Sequence, residues 1–397
     1  MLSFLLCLLT LGAKQAAAEP HRPTDDRAAF VTVLGRDTVA LESYTRTASR
    51  LEGDMVVRVP GTVHLHYVLQ LGADGAVARS TVDVTPLGTS EVARRRVTLD
   101  FVPDSVRVAV DSAGVRQRAT VAVEKGTVPL LMSGFGSSYG LYGSLGMYEL
   151  LFSRLPSRPN DTVAVASIGA ASGRPAMRRL VRRSATRIDV DFFRIAWTHL
   201  TLDADGNITG ADASETTEKT ETRRTEYFDV ARAAKGFAAR DRSGTGIGVA
   251  SPNQTVSATL GSTAVVVAFG SPRRRGREIL GRVVPYGEVW RTGANEASVL
   301  VTDGDLTIGG VEVPAGAYSL WTLPKRDGVE LIINRQHGQW GTQYDASQDL
   351  ARLPMRVAPA PEPRESFAIT VSPTTAGAGE LRILWDSFVW SVPVVAR

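Results

Sequence analysis

The chain has 397 residues, of which 43% are hydrophobic and 22% charged, and its 37 glycines and 20 prolines stay well below low-complexity levels. That composition excludes a fibrous or wholly disordered chain and leaves apolar material for two cores. The formal net charge is +4, but 40 of the 45 basic residues are arginines, a skew that looks like a GC-rich genome rather than selected phosphate contacts.

Leu2 to Gly12 is an apolar stretch followed by Ala16-Ala17-Ala18 before Glu19, the pattern of a secretory signal over residues 1–18. It is too short to span a bilayer, and no other segment reaches 18 apolar residues. It departs from the usual pattern in having no Lys or Arg ahead of the apolar stretch. The expectation is an exported protein, periplasmic or extracellular, with no transmembrane segment after signal removal. Cys7, the single cysteine, lies inside this stretch, so disulfides and thiolate metal sites are not expected in the exported chain.

Residues 28–236 read as short runs of alternating residues broken every eight to twelve positions by Gly, Asp or Pro, the signature of antiparallel strands. In Val63 to Leu71 the odd positions are all apolar, which leaves His64, His66 and Gln70 on the other face. That strand and the one ending at Leu202 both run into Ala-Asp-Gly turns, at Gly75 and Gly206, where glycine supplies the positive φ of a tight hairpin. Leu141, Leu145, Tyr148, Leu151 and Phe152 predict one helix over Ser138 to Leu155, stopped by Pro156. Strands on both sides of one helix imply a curved sheet or half-barrel wrapped over it. The arrangement is similar, at the level of architecture, to the half-barrel carriers of periplasmic lipoproteins.

Two sets of residues in this half bear chemistry. Gly136-Ser137-Ser138-Tyr139-Gly140 matches G-x-S-x-G, which offers Ser138 as a nucleophile with His199 or His337 as base. The plainer reading makes Ser137 or Ser138 a helix cap, because the chain lacks the strand and helix rhythm of a parallel sheet. His64 and His66 at i, i+2 suit a metal, with Gln70 or His199 completing it, but two ligands are not a site and the plainer reading is a wet strand face. The runs Arg94-Arg95-Arg96, Arg178-Arg179, Arg182-Arg183 and Arg273-Arg274-Arg275 lack interleaved aromatics, so nucleic acid is not the expected partner. We read them as solvated strand faces and loops, with a polyanion site as the alternative.

Residues 237–251 are glycine-rich and set a linker; no phosphate-cradle pattern follows them, and no cofactor is expected. Residues 252–397 then show about seven strands: Ala264–Phe269, Ser298–Thr302, Ala317–Leu323, Val329–Asn334, Phe367–Val371, Leu381–Trp385 and Phe388–Val394. That count suits a β-sandwich or jelly roll. The last two are expected to form a hairpin across an Asp386-Ser387 turn. The prolines from Pro354 to Pro363 are expected to run extended over the surface. The fold class is therefore all-β and mainly antiparallel throughout.

Ser271-Pro272-Arg273 with Gly276-Arg277, Val284 to Ala297 with its Trp-Arg-Thr-Gly-Ala-Asn-Glu-Ala string, Pro314 to Leu320, Asn334, Gln339-Trp340-Gly341 and Tyr344-Asp345 together resemble an exported bacterial family known as domain of unknown function twenty-nine eleven. The resemblance spans about residues 251–395 and implies an exported, β-rich domain and no activity. Within it, Arg291 offers a bidentate grip on a carboxylate and Asn295 offers donor and acceptor. One reading is a structural corner in which Arg291 and Glu296 satisfy buried backbone groups. A second is a pocket of Arg291, Asn295 and Glu296 with Tyr318, His337, Trp340, Tyr344 and Asp345, whose aromatics stack on a sugar or lipid headgroup. A third uses the Glu296 and Asp345 carboxylates as acid and base. The expected function is non-catalytic binding of a small molecule, lipid or carbohydrate, or of an envelope protein; the alternative is a secreted hydrolase using Ser138 or Glu296.

Overall fold

The period-two alternation of the first half becomes one fifteen-stranded sheet. A computed structural model describes residues 26–131, 143–155, 158–192, 196–216, 218–375 and 377–397; the signal reading and Ser138 fall outside them. Strands β1 (Asp26–Leu34), β2 (Asp37–Arg46), β3 (Arg50–Val57), β4 (Val63–Leu71), β5 (Val77–Pro86), β6 (Arg95–Val102), β7 (Ser105–Ser112) and β8 (Val115–Ala122) form an antiparallel meander. At the opposite edge β9 (Val128–Leu130) pairs in parallel with β10 (Thr162–Gly169). A second meander follows through β11 (Pro175–Arg182), β12 (Arg187–Phe192), β13 (Ala196–Leu202), β14 (Ile208–Asp212) and β15 (Glu221–Thr225), which closes beside β1.

The apolar faces of both meanders look into one core, where Tyr44, Leu65, Tyr67 and Leu69 meet Leu180, Ile188, Val190 and Leu200. Ile168 of β10 packs among Val97, Leu99, Val106 and Val108 of β6 and β7, so the sheet curls until one end lies on the other. Gly75 and Gly206 sit at φ +74° and +84° in the two predicted hairpins.

Of the predicted helix over Ser138–Leu155, residues 138–142 lie outside the described ones. Its described part is a single turn, α1 (Leu145–Tyr148), continued as a 3₁₀ turn at Glu149–Arg154. The observed cap is Ser144, whose Oγ accepts from the Met147 amide at 3.1 Å and donates to Glu42 Oε1 at 2.5 Å. A longer helix, α2 (Val230–Arg242), takes up the start of the segment read as a linker. Its buried stripe is Val230, Ala234 and Ala238, side chains too small to stand out as an apolar period. It covers Leu41 and Val56 on the outer face of the sheet. Among the described residues no helix is long and apolar enough to cross a membrane.

The second sheet has nine strands: β16 (Asn253–Leu260), β17 (Thr263–Gly270), β18 (Ser298–Thr302), β19 (Leu306–Ile308), β20 (Val311–Val313), β21 (Gly316–Lys325), β22 (Gly328–Asn334), β23 (Asp349–Thr375) and β24 (Ala378–Ala396). Their order is β16-β17-β18-β21-β22-β23-β24-β19-β20. Long β23 pairs with β22 through its first part and with β24 along its length.

One expectation fails here. Asp386-Ser387 is not a hairpin turn, because β24 runs straight through it with Asp386 at φ +46°. The proline segment does run extended over the surface: Pro354, Pro359, Pro361 and Pro363 are exposed in β23, Pro354 and Pro359 pair opposite Glu330 and Phe388, and the ladder shifts register after Pro359.

Candidate functional site

Residues 271–297 connect β17 to β18, and the chain makes an unusual corner within them. Thr292 has φ +52° and Asn295 +65°. Asn visits this region readily, but a β-branched residue there is strained, by about 1–3 kcal/mol, and persists only where its surroundings fix it. They do so here. The Thr292 hydroxyl lies 3.3 Å from the Trp290 carbonyl and 3.2 Å from the Thr322 hydroxyl, and the Thr292 carbonyl accepts from Ser298 Oγ at 2.6 Å. Trp290 exchanges backbone hydrogen bonds with Thr322 of β21, and the Gly341 amide donates to the Asn295 carbonyl at 2.9 Å. A Cβ on Gly341 would lie 1.9 Å from Arg291 Cδ and 2.5 Å from the Asn295 carbonyl; glycine at 341 therefore lets the Arg291 stem lie flat.

The first sheet reaches this region through the turn between β1 and β2. The Arg36 amide donates to the Arg275 carbonyl at 2.9 Å, and the Asp37 carboxylate accepts from Arg275 Nη1. Gly35, at φ +61°, lies so close that a Cβ would meet the Arg275 carbonyl at 2.3 Å. Between the two sheets lies a cavity of about 290 Å³. Leu34, Val59 and Lys219 line it from the first sheet and its loops, and Arg275, Arg291 and Asn295 from the β17–β18 connection. Trp290, Trp321, Tyr344 and Trp385 supply aromatic walls.

This cavity is positively charged. Burial, then the nearby Arg291 guanidinium, pushes Lys219 down to about 8, with Glu288 opposing. Burial takes Arg291 down to about 10, and burial followed by repulsion from Arg275 does the same to Arg277. Four buried nitrogens of residues around it have no hydrogen-bond acceptor among the described residues: Nε and Nη2 of Arg275, Nε of Arg291 and Nδ2 of Asn295. Buried donors are nearly always partnered, and a buried cation without a partner is costly.

Residues 251–394 match the family described as protein of unknown function, DUF2911. The matched span covers the second sheet and is the one to which the Trp290–Ala297 string pointed. No family matches the N-terminal half, and no curated protein matches the chain. Among solved structures, a DUF1089 family protein from Pseudomonas aeruginosa aligns over 45% of this chain and 91% of its own, with 12% identity and a TM-score of 0.30, too slight a likeness to carry the fold across. The cavity thus has one wall in the DUF2911 region and one outside it.

Of the eight residues that the sequence proposes for a pocket, Arg291, Asn295 and Tyr344 line the cavity. The other five do not. Glu296 is exposed, with its backbone paired to Trp340, and makes no ion pair with Arg291; Arg291 is therefore not spent within its own corner. His337 is exposed in the turn after β22. The Tyr318 hydroxyl donates to the Pro314 carbonyl at 2.9 Å. The Asp345 carboxylate caps its own turn, accepting from the Ser347 amide at 2.9 Å and hydroxyl at 2.7 Å. Tyr344 offers its ring, since its hydroxyl donates to Asp349 at 2.7 Å and accepts from Arg352 at 2.7 Å, and burial followed by the Asp349 bond pushes it up to about 12.

Sequence reasoning missed Arg275, Arg277 and Lys219. The Arg273–Arg275 run was visible but read as solvated, whereas Arg275 is 3% exposed. Lys219 comes from the distant β14–β15 loop and carries no local signal. The remaining candidates stay apart from the cavity. His64 Nε2 and His66 Nδ1 both meet Asp54 Oδ1, at 2.9 and 3.1 Å; burial alone would raise Asp54, but these two bonds outweigh it and hold its carboxyl far below the usual range. His199 lies between Asp189, at 2.7 Å, and Glu215, at 3.0 Å. Among the described residues no cluster of His, Cys, Asp and Glu is arranged to hold a metal.

Proposed function

We propose that the chain is an exported, non-catalytic binding protein in which a curled-sheet domain and a DUF2911 domain hold a small anionic ligand between them. The cationic lining of the cavity, Lys219, Arg277 and Arg291 beside its aromatic walls, carries this reading. A guanidinium on a carboxylate or phosphate forms the strong, charge-assisted class of hydrogen bond, and it gains strength where water is excluded. The aromatic walls make Trp290, Trp321 and Trp385 natural reporters of occupancy. Export rests on the apolar stretch and Ala-Ala-Ala pattern ahead of Glu19.

The test is fluorescence titration of the purified protein with benzoate, phthalate and phenyl phosphate at constant ionic strength. Saturable binding of at least one anion is expected, weakened tenfold or more by Arg291→Gln with the circular dichroism spectrum unchanged. Failure of all three to bind saturably would overturn the reading.

A further inference from the structure

We propose that Lys219 is a site of reversible carbamate formation, its amine adding dissolved carbon dioxide at the cavity wall, with Arg291 as the counter-cation of the product. This goes beyond the anion-binding reading above and does not depend on it. Three observations lead there.

The backbone comes first. Lys219 stands in the β14–β15 loop at φ +55°, a left-handed conformation that a residue with a long side chain keeps only where its surroundings fix it. The loop does so. The Ala213 amide donates to the Thr220 carbonyl at 2.9 Å, and the Thr216 hydroxyl donates to the Ala213 carbonyl at 2.7 Å. Held this way, Lys219 lines the cavity that Arg277 and Arg291 line from the β17–β18 connection.

The company of the amine comes second. Lys219 Nζ donates to the Ser214 carbonyl at 2.7 Å, and among the described residues no carboxylate forms an ion pair with it. Burial acts on it first, then the positive charge of Arg291; Glu288 opposes, Arg277 adds to the repulsion, and Glu215 opposes from further off. Both of these carboxylates are exposed. With its pKa near 8, about half of Lys219 is neutral amine at pH 8, the nucleophilic form, whereas a lysine at the ordinary 10.5 is almost wholly ammonium.

The acceptor of the product's charge comes third. A carbamate is a planar anion with two oxygens, a shape that a guanidinium matches. Arg291 makes no hydrogen bond or ion pair among the described residues; its Nε is sealed from solvent, but Nη1 and Nη2 are not among the sealed atoms. Those two groups are free for the oxygens. Arg277 is less available, because its Nε and Nη2 donate to the Arg274 and Arg273 carbonyls at 3.0 and 2.6 Å and Glu365 offsets its charge. In the reaction the Nζ lone pair attacks the carbon of carbon dioxide, an N–C bond forms, one C=O π bond opens onto its oxygen, and Nζ sheds a proton to water. The N–H that remains can still donate to the Ser214 carbonyl. Lys219 is then an anion beside Arg291, and the repulsion between them becomes attraction.

The test is carbon-13 NMR of the full chain at pH 8 in carbon-13-labelled bicarbonate. The α-amino group also titrates near 8 and gives a carbamate resonance of its own, which serves as an internal reference. A second carbamate resonance is expected from the wild type, absent from Lys219→Gln and at least about threefold weaker in Arg291→Gln, where the product loses its counter-cation. Acidification to pH 6 should discharge it. Trapping the carbamate on the wild type with a trialkyloxonium salt, followed by peptide mass spectrometry, is expected to place the added mass on Lys219, and it needs no variant to fold. An undiminished signal in Arg291→Gln would overturn the part assigned to Arg291. No second resonance, or trapping on another lysine alone, would overturn the proposal and leave the anion reading standing.

Discussion

Asp37 of the first sheet and Arg275 of the β17–β18 connection pair beside the cavity, with the arginine side chain 3% exposed and the aspartate side chain 33% exposed. The pair fastens the β1–β2 turn to the β17–β18 connection. Removing one partner from a buried pair leaves an uncompensated charge, at a cost of about 3–5 kcal/mol when both groups are buried. Because Asp37 is partly solvated, Asp37→Asn is expected to cost less, about 2–3 kcal/mol, read as a lower urea midpoint. Saturating phenyl phosphate should recover part of that loss, since the ligand supplies the missing negative charge. A midpoint unchanged from wild type would show that the pair holds nothing.

Gly341 and Arg291 make a second coupled pair, in which the absence of a Cβ decides where a guanidinium lies. With 1.9 Å between an added Cβ and Arg291 Cδ, Gly341→Ala must displace the arginine stem. Overpacking of this kind costs about 1–3 kcal/mol, and anion affinity should fall tenfold or more as Arg291 leaves the cavity. Gly236→Ala serves as a control, because nothing lies within 4 Å of a Cβ there and an alanine within α2 should stabilise by about 0.5–1 kcal/mol. Its affinity for phenyl phosphate should match the wild type.

Lys219 makes binding depend on pH. Its pKa in the free protein is about 8, so below pH 8 the ammonium is already charged and contributes no pH dependence. Above it, each binding event must first load a proton, and the affinity for a fixed-charge dianion should fall by up to tenfold per pH unit. Lys219→Gln should bind more weakly at pH 7 and show a flat profile from pH 7 to 9. The folding contribution has the opposite sign. Burial disfavours the ammonium in the folded state, so between about 8 and the ordinary value of 10.5 the unfolded chain holds more protons and stability rises with pH. Calorimetric titration at three pH values measures the first effect and urea midpoints the second.

Strands were legible wherever one residue type served one face. Val63–Leu71 stood out because its odd positions are all apolar, and β4 buries those positions. α2 did not stand out, because alanines carry its buried stripe. Arg275 was invisible as a buried group because its sequence neighbours, Arg273 and Arg274, look like any solvated run; a turn from 238 residues away buries it. A cavity between two sheets depends on pairings of that length, and local pattern holds no record of them. The apolar sets around Asp386 were legible individually, and only their connection was misread, since a change of phase in a period-two pattern arises equally from a turn and from a bulge.

That bulge gives the last prediction. In β24 the buried residues are Leu381, Ile383 and Trp385 and then Phe388, Trp390, Val392 and Val394, all at most 3% exposed, so the inward phase changes from odd to even across Asp386. Its φ of +46° inserts the extra residue that a bulge requires, and pairing with β23 shifts register on either side of Arg364↔Asp386. Deleting Asp386 would turn the last four side chains outward or force the whole end of the strand to slip. With about 1.5–3 kcal/mol at stake for each fully buried side chain, the loss rivals the 5–15 kcal/mol that holds a typical domain together. The deletion variant is expected to lose cooperative unfolding, with tryptophan emission shifted to the red. Asp386→Gly keeps the backbone geometry and gives up only the partly exposed pair with Arg274 at 3.2 Å, so its urea midpoint should stay within about 1 kcal/mol of wild type. Asp386→Val should fall between the two, because a β-branched residue resists positive φ. A deletion variant that unfolds at the wild-type midpoint would show that the register of β24 is set elsewhere.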